Sequence, residues 1–295
     1  MKITFAMIVF NGDYVLKQLL ESIYPFAHKI IIVDGVVKYW AERGFSGSID
    51  KTIDIIKSFP DKEHKIILHE KVVRYEKTEL CQVYMNDVPD DTDYLWCIDS
   101  DEIFKSEDIE KTIKLLQDKQ PHSLSFTSRT FFGGFDRYLT GFERNVGFKR
   151  VLKFEKGCCY VEHRPPRLST ENVSEPIHIS ASETLDKGIE MYHYSYVFAC
   201  QVKEKIQYYK EAVSFQNAID DYFTILWMRW VTGNDEEKLL IEQKYNGVHE
   251  FIPSIRGECF TAKFNDTTHP KFILRDMKEL KMKFYIQLSN HGNRE

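Results

Sequence analysis

Apolar residues run almost unbroken from position 2 to 9, the pattern of a strand covered on both faces. Asn11-Gly12-Asp13 then turns the chain, and Asp13 is placed to cap a helix reaching about Ala27. Its apolar positions Val15, Leu16, Leu19, Leu20 and Ile23 recur at helical spacing. Residues 29–33 read as a second buried strand, ending at Asp34-Gly35. After a loop, Ser48-Ile49-Asp50 opens a helix carrying Ile53, Ile55, Ile56 and Phe59, which Pro60 stops. A third strand is predicted over 65–68, a helix over 78–87 and a strand over 93–98, with Ser106 capping a helix through about Lys119. This alternation predicts an α/β fold: a doubly wound, mostly parallel central sheet flanked by helices.

Beyond residue 122 the pattern changes. HSLSFTSRTFF, VGFKRVLKF and CCYVEHR are strand-like, whereas 197–245 reads as helical, with Val202, Ile206 and Tyr209 on one face. Basic and apolar residues alternate at helical spacing over 270–288. With no internal repeat or flexible linker, the expectation is one body, an α/β domain over 1–195 carrying a helical C-terminal subdomain over 196–295. The aromatic helices after 197 offer material for closing the core, for a homodimer or for docking on a membrane surface.

Chemistry concentrates at YLWCIDSDEIF, residues 94–104, where a hydrophobic strand ends in Asp99, Asp101 and Glu102, interrupted only by Ser100. Like charges a few ångströms apart repel, and a bound cation relieves them. An Asp-x-Asp at a strand end is a seat for Mn²⁺ or Mg²⁺ bridging a diphosphate. A solvated turn leading into a helix N-terminus favours acids as well. The residues after the other strands, Asn11 and Asp34, are polar too, and ligands of such sheets lie outside the carboxyl ends of the strands.

Composition narrows the classes. A formal charge of −5 over 295 residues argues against a general nucleic-acid binder. The six cysteines contain no Cys-x-x-Cys pair, which suits neither a zinc site nor a disulfide framework and fits a reducing, cytoplasmic setting. MKITFAMIVFNGD has an apolar run too short for a signal peptide and no run approaches a membrane span. Without a secretory signal, the sequons at Asn172-Val173-Ser174 and Asn265-Asp266-Thr267 are taken as chance matches.

Four segments, taken in order, resemble family 2-like glycosyltransferases of the GT-A fold: MIVFNGDYVLKQLLESIYPFAHKIIIVDG, FSGSIDKTIDIIKSF, YEKTELCQVYMNDV and DYLWCIDSDEIF. The resemblance runs from about residue 3 to 210 and departs from the family pattern at VVKYWAERGF, which intervenes before the Gly-Ser segment. It implies a metal-dependent enzyme moving a sugar, with inversion, from a nucleoside-diphosphate sugar (a UDP-sugar on family grounds) to a hydroxyl on a glycan or glycoconjugate.

Carried over by position, the resemblance places Asn11, Asp34 and Asp50 near the nucleoside. Lys77 would face the diphosphate, with Arg74 a competing candidate, and Asp99, Ser100 and Asp101 would meet the ribose and the ion. His193, in MYHYSYVF, would be a further ligand of Mn²⁺ or Mg²⁺. Glu162 in CYVEHRPPRL is the base by this reading, with His163 and Asp136 as alternatives. An ion-paired strand edge with Arg164 and Arg167 explains the same acid. Phe131, Phe132 and Trp40 are aromatics for stacking on a sugar face, or core. Competing functions are a nucleotidyltransferase, although FNGDYVLK is poor in glycine after the first strand, a phosphatase using Asp-x-Asp, and a non-catalytic nucleotide-sugar-binding protein.

Overall fold

The computed structural model describes the chain apart from residues 172–173, 213–218, 252–256 and 293–295. Asn172 and Val173 of the first sequon therefore lie outside the described residues. The elements of the amino-terminal half are β1 (Ile3–Val9), α1 (Leu16–Ile23), β2 (Ala27–Val37), α2 (Lys38–Ala41), α3 (Thr52–Ser58), β3 (Ile66–Arg74), α4 (Lys77–Met85), β4 (Tyr94–Cys97), β5 (Glu102–Ile103), α5 (Ser106–Lys119) and β6 (Ser123–Phe126). There follow β7 (Ser128–Phe132), β8 (Arg137–Leu139), α6 (Phe142–Asn145), β9 (Phe148–Lys153), β10 (Tyr160–His163), β11 (Pro166–Leu168), β12 (His178–Ile179), α7 (Ala181–Asp186) and β13 (Met191–Tyr196). The remainder comprises α8 (Ala199–Glu211), a π-helical turn over Phe223–Met228, α9 (Arg229–Thr232), α10 (Asp235–Tyr245), β14 (Thr261–Lys263) and α11 (Lys271–Gly292).

Two units result. The first comprises Met1–Thr127 with Gly147–Met191, the second Ser128–Val146 with Tyr192–Glu295. The division differs from the expected break at 195 because β7 and β8 pair with β13 and β14, which draws residues 128–146 into the second unit. That unit is accordingly not purely helical: it holds the sheet β14-β8-β7-β13 beside its helices.

In the first unit a seven-stranded sheet has the order β12-β6-β9-β4-β1-β2-β3. β1 pairs in parallel with β2 and β4, and β2 with β3, while β9 alone runs against its neighbours β4 and β6. This is the mostly parallel sheet that the alternation of apolar runs and helices implies. Both faces are covered: Phe5, Ile30, Ile31, Ile32 and Trp96 are fully buried, as are Leu16, Leu19, Leu20 and Ile23 of α1. Each such side chain contributes roughly 1.5–3 kcal/mol by leaving water. Trp96 stacks between Phe5 and Phe126 at 5.1 and 5.3 Å, which fixes β4 at the middle of the sheet.

Several local expectations shift. α1 starts at Leu16, after Val15 and without a side-chain cap, and the amide of Asp13 donates to Asp50, as described below. Lys105, not Ser106, precedes α5, again without a side-chain cap. β2 continues through Asp34-Gly35 to Val37 after a register shift against β3. At Gly35 a Cβ would stand 2.5 Å from the Val72 carbonyl oxygen, so only glycine lets the two strands run on together. The departing segment VVKYWAERGF thus prolongs β2 and forms α2. Among the described residues no helix is long and apolar enough to cross a membrane.

Candidate functional site

Loops leaving β1 and β2 are stitched together at the carboxyl edge of the sheet. Asn11, at φ +51°, accepts the Ile49 amide on its Oδ1 at 3.0 Å, and its own amide donates to Ser48 Oγ at 2.8 Å. The Ser48 amide donates to Asp34 Oδ1 at 2.8 Å, and that of Lys71 to Asp34 Oδ2 at 3.3 Å. Asp50 accepts from the amides of Thr52 and Asp13 at 2.9 and 3.1 Å, while the Gly12 amide donates to Thr52 Oγ1 at 2.8 Å. Asp50 thus does at the start of α3 what Asp13 was expected to do for α1. A Cβ on Gly12 would stand 2.6 Å from Ser100 Oγ, so the end of β4 closes directly on the turn after β1.

This stitching assigns Asn11 and Asp34 internal work. Asp34 is 1% and Asn11 7% exposed, and their side-chain oxygens hold backbone amides. They shape the edge, and half-buried Asp50 stands closer to solvent. Beside them, Trp40 of α2 packs on Phe10 and Phe45, with centroids 5.3 and 5.7 Å apart, as a half-buried aromatic face next to Asn11.

At the end of β4 the acids are met by two arginines. Glu102 is fully buried and accepts from Arg150 Nε at 3.1 and 2.9 Å; its Oε1 also takes Arg150 Nη2. Arg150 Nη2 reaches Asp99 Oδ2 at 3.0 Å, and Arg164 Nη2 reaches Asp99 Oδ1 and Oδ2 at 2.9 and 2.6 Å. Burial works against the charge on Arg150, but Glu102 and then Asp99 outweigh it and hold the guanidinium protonated. The repulsion read from the sequence is thus relieved by guanidinium groups.

A divalent ion does not fit this donor set as arranged. Both Asp99 oxygens already accept from arginine, Glu102 is sealed on Arg150, and Asp101 is half-buried. Among the described residues no group of three or more His, Cys, Asp or Glu side chains is placed to hold a metal. His193 lies in the second unit, 8% exposed in β13, with its Nδ1 3.4 Å from Thr130 Oγ1.

The β10–β11 hairpin carries the proposed acid–base residues. His163 sets Nδ1 3.4 Å from Cys81 Sγ of α4, and the Tyr160 amide donates to Gln82 Oε1 of the same helix at 3.1 Å. Burial, and then the charge of Arg164, push the His163 imidazolium down to about 3, with Lys77 and Arg150 acting in the same direction. A ring held neutral this way is a feeble proton acceptor near neutral pH. Glu162 is exposed, 3.5 Å from Arg167 Nε. Lys77, the first residue of α4, adds its charge to the same neighbourhood. Asp136 belongs to the second unit and is exposed, whereas Phe131 and Phe132 are fully buried core and present no face to a sugar. Sequence reading missed Arg150 altogether and saw Arg164 only as a strand-edge partner. The Arg164-Pro165-Pro166-Arg167 run beside Glu162 was the available signal.

No protein-family model and no curated protein matches the chain. Solved structures similar to it include S. aureus TarS 1–349, at 13% identity and a TM-score of 0.36, over 44% of this chain and 36% of that one. The same protein in complex with UDP-GlcNAc matches at 15% identity and 0.33, over 44% and 35%. Glucosyl-3-phosphoglycerate synthase from Mycobacterium tuberculosis, in complex with Mn²⁺, UDP and glucosyl-3-phosphoglycerate, matches at 18% identity and 0.33 over 45% of each chain. Each similarity therefore spans less than half of either partner.

Proposed function

We propose that the chain is a GT-A-type glycosyltransferase that takes a sugar from a nucleoside diphosphate, UDP-sugar first among them, and passes it with inversion to a hydroxyl of a glycan or glycoconjugate. One observation carries the reading: the carboxyl ends of parallel strands β1, β2 and β4 are drawn together by Asn11, Ser48, Asp34 and the Gly12–Ser100 contact, and the cations Arg164 and Lys77 stand beside that edge. Ligands of such sheets bind there. The ordered sequence segments described above match the same edge.

In this reading the stitched loops and Asp50 receive the nucleoside, with Phe10, Trp40 and Phe45 as the aromatic face for its base. Ser100 and Asp99 lie toward the ribose, and Lys77 and Arg164 meet the diphosphate through charge-assisted hydrogen bonds. Glu162 accepts the proton of the acceptor hydroxyl as that oxygen attacks the anomeric carbon. The bond from that carbon to the diphosphate oxygen breaks, and the nucleoside diphosphate departs with the bonding pair, its developing charge balanced by Arg164 and Lys77. An ion on Asp99, Asp101 and His193 has no part here, because arginines hold the Asp99 oxygens.

Release of nucleoside diphosphate from a panel of UDP-, GDP- and ADP-sugars tests the proposal, with Glu162→Gln as the probe of the base. Turnover with one donor, reduced about a hundredfold or more by Glu162→Gln, is expected. Tight UDP binding with no release across the panel points to a binding protein instead.

A further inference from the structure

We propose that α11 docks the protein on an anionic lipid surface through its outward stripe. The helix spans 22 residues, and Ile273, Leu280 and Phe284 bury one face of it. The opposite side repeats at helical spacing as Lys271, Leu274, Arg275, Lys278, Glu279, Met282, Tyr285 and Ile286, all exposed. Leu274, Met282, Tyr285 and Ile286 remain 38%, 59%, 62% and 52% exposed, a concentration of large apolar side chains unusual on one solvent-facing stripe.

Charge selects the occupant. Three of the stripe's charged residues are basic and one, Glu279, is acidic, in a chain whose formal charge is −5. Lys281 flanks the stripe and pairs with Asp266 at 2.9 Å, while Arg275 has its neighbour Asp276 at 2.6 Å. A second copy fits poorly. Antiparallel stripes set the lysines of one helix against the apolar end of the other with little acid to meet them, and parallel stripes set lysine on lysine. A lipid headgroup layer supplies both halves of the match: anionic phosphates for Lys271 and Lys278, and an apolar boundary a few ångströms deeper for Met282, Tyr285 and Ile286. Lysine stems lie along the apolar surface while their ammonium groups reach the phosphates. The surface is independent of the glycosyl-transfer reading.

Co-sedimentation with vesicles tests it, comparing phosphatidylcholine alone with phosphatidylcholine containing phosphatidylglycerol. The full chain is expected to bind the anionic vesicles, to bind neutral ones about tenfold more weakly, and to be released by salt. Met282→Glu with Ile286→Glu, on the exposed side of the helix, should abolish binding with the circular dichroism spectrum unchanged. Lys271→Glu with Lys278→Glu should weaken it about tenfold or more. Absence of binding to either vesicle overturns the proposal. So does a dimer in sedimentation equilibrium that Met282→Glu dissociates, since a second copy then covers the stripe.

Discussion

The guanidinium of Arg164 reaches across 65 positions of sequence to both carboxylate oxygens of Asp99, at 2.9 and 2.6 Å. Arg150 shares Asp99 from the buried side, so one carboxylate sits between a sealed cation and a half-exposed one. The two arginines therefore differ in what their loss costs.

Replacing Arg164 by alanine is expected to weaken UDP binding about tenfold, the worth of one charge-assisted hydrogen bond. Its side chain is 43% exposed, so the thermal midpoint should move little. Calorimetric titration beside a melting curve separates the two effects. Unchanged affinity with a collapsed midpoint would make Arg164 a structural residue only.

Replacing Glu102 by alanine leaves Arg150 buried with only the shared Asp99 to balance it. A loss of about 3–5 kcal/mol in urea unfolding is expected, the usual cost of breaking a buried ion pair. A loss below about 1 kcal/mol would mean that water reaches Arg150.

Binding of UDP is expected to change by less than about threefold between chelator and Mn²⁺, because the Asp99 oxygens are taken. Gain of an order of magnitude with Mn²⁺ in the wild type would show that an ion displaces Arg164.

Acid stability carries two opposing signs. His163 titrates at about 3 in the fold and near 6.5 when unfolded, so between those values the unfolded chain binds the extra proton. Stability should therefore fall as pH drops from about 6.5 toward 3, by up to about 1.4 kcal/mol per unit for one proton. Burial raises Asp108 to about 6, so its carboxyl takes a proton in the fold first and opposes that loss between about 6 and 4. His163→Asn should flatten the acid slope and Asp108→Asn should steepen it in urea titrations across this range. Identical slopes in all three proteins would sink the assignment.

Much of the first unit was legible in the chain. The apolar runs at β1, β2 and β4, buried on both faces, and the helical spacing of Leu16, Leu19, Leu20 and Ile23 report local burial, which periodicity records directly. Polar residues directly after those strands mark the edge for the same reason. Less legible was the second unit, where residues 128–146 join strands some sixty positions or more away, β7 beside β13 and β8 beside β14, a long-range pairing that no local period encodes.

By itself, then, the sequence determined the layered α/β architecture, the edge on which the chemistry gathers and the acids that stand there, because hydrophobic period and strand-end polarity are short-range properties. Tertiary structure decided what those acids do. It turned Asp34 inward onto backbone amides, sealed Glu102 against Arg150, and brought Arg164 to Asp99. The partner of a charge is set by which distant strand packs beside it, and solvation of the pair depends on layers that cover it, so neither can be read before the chain is folded.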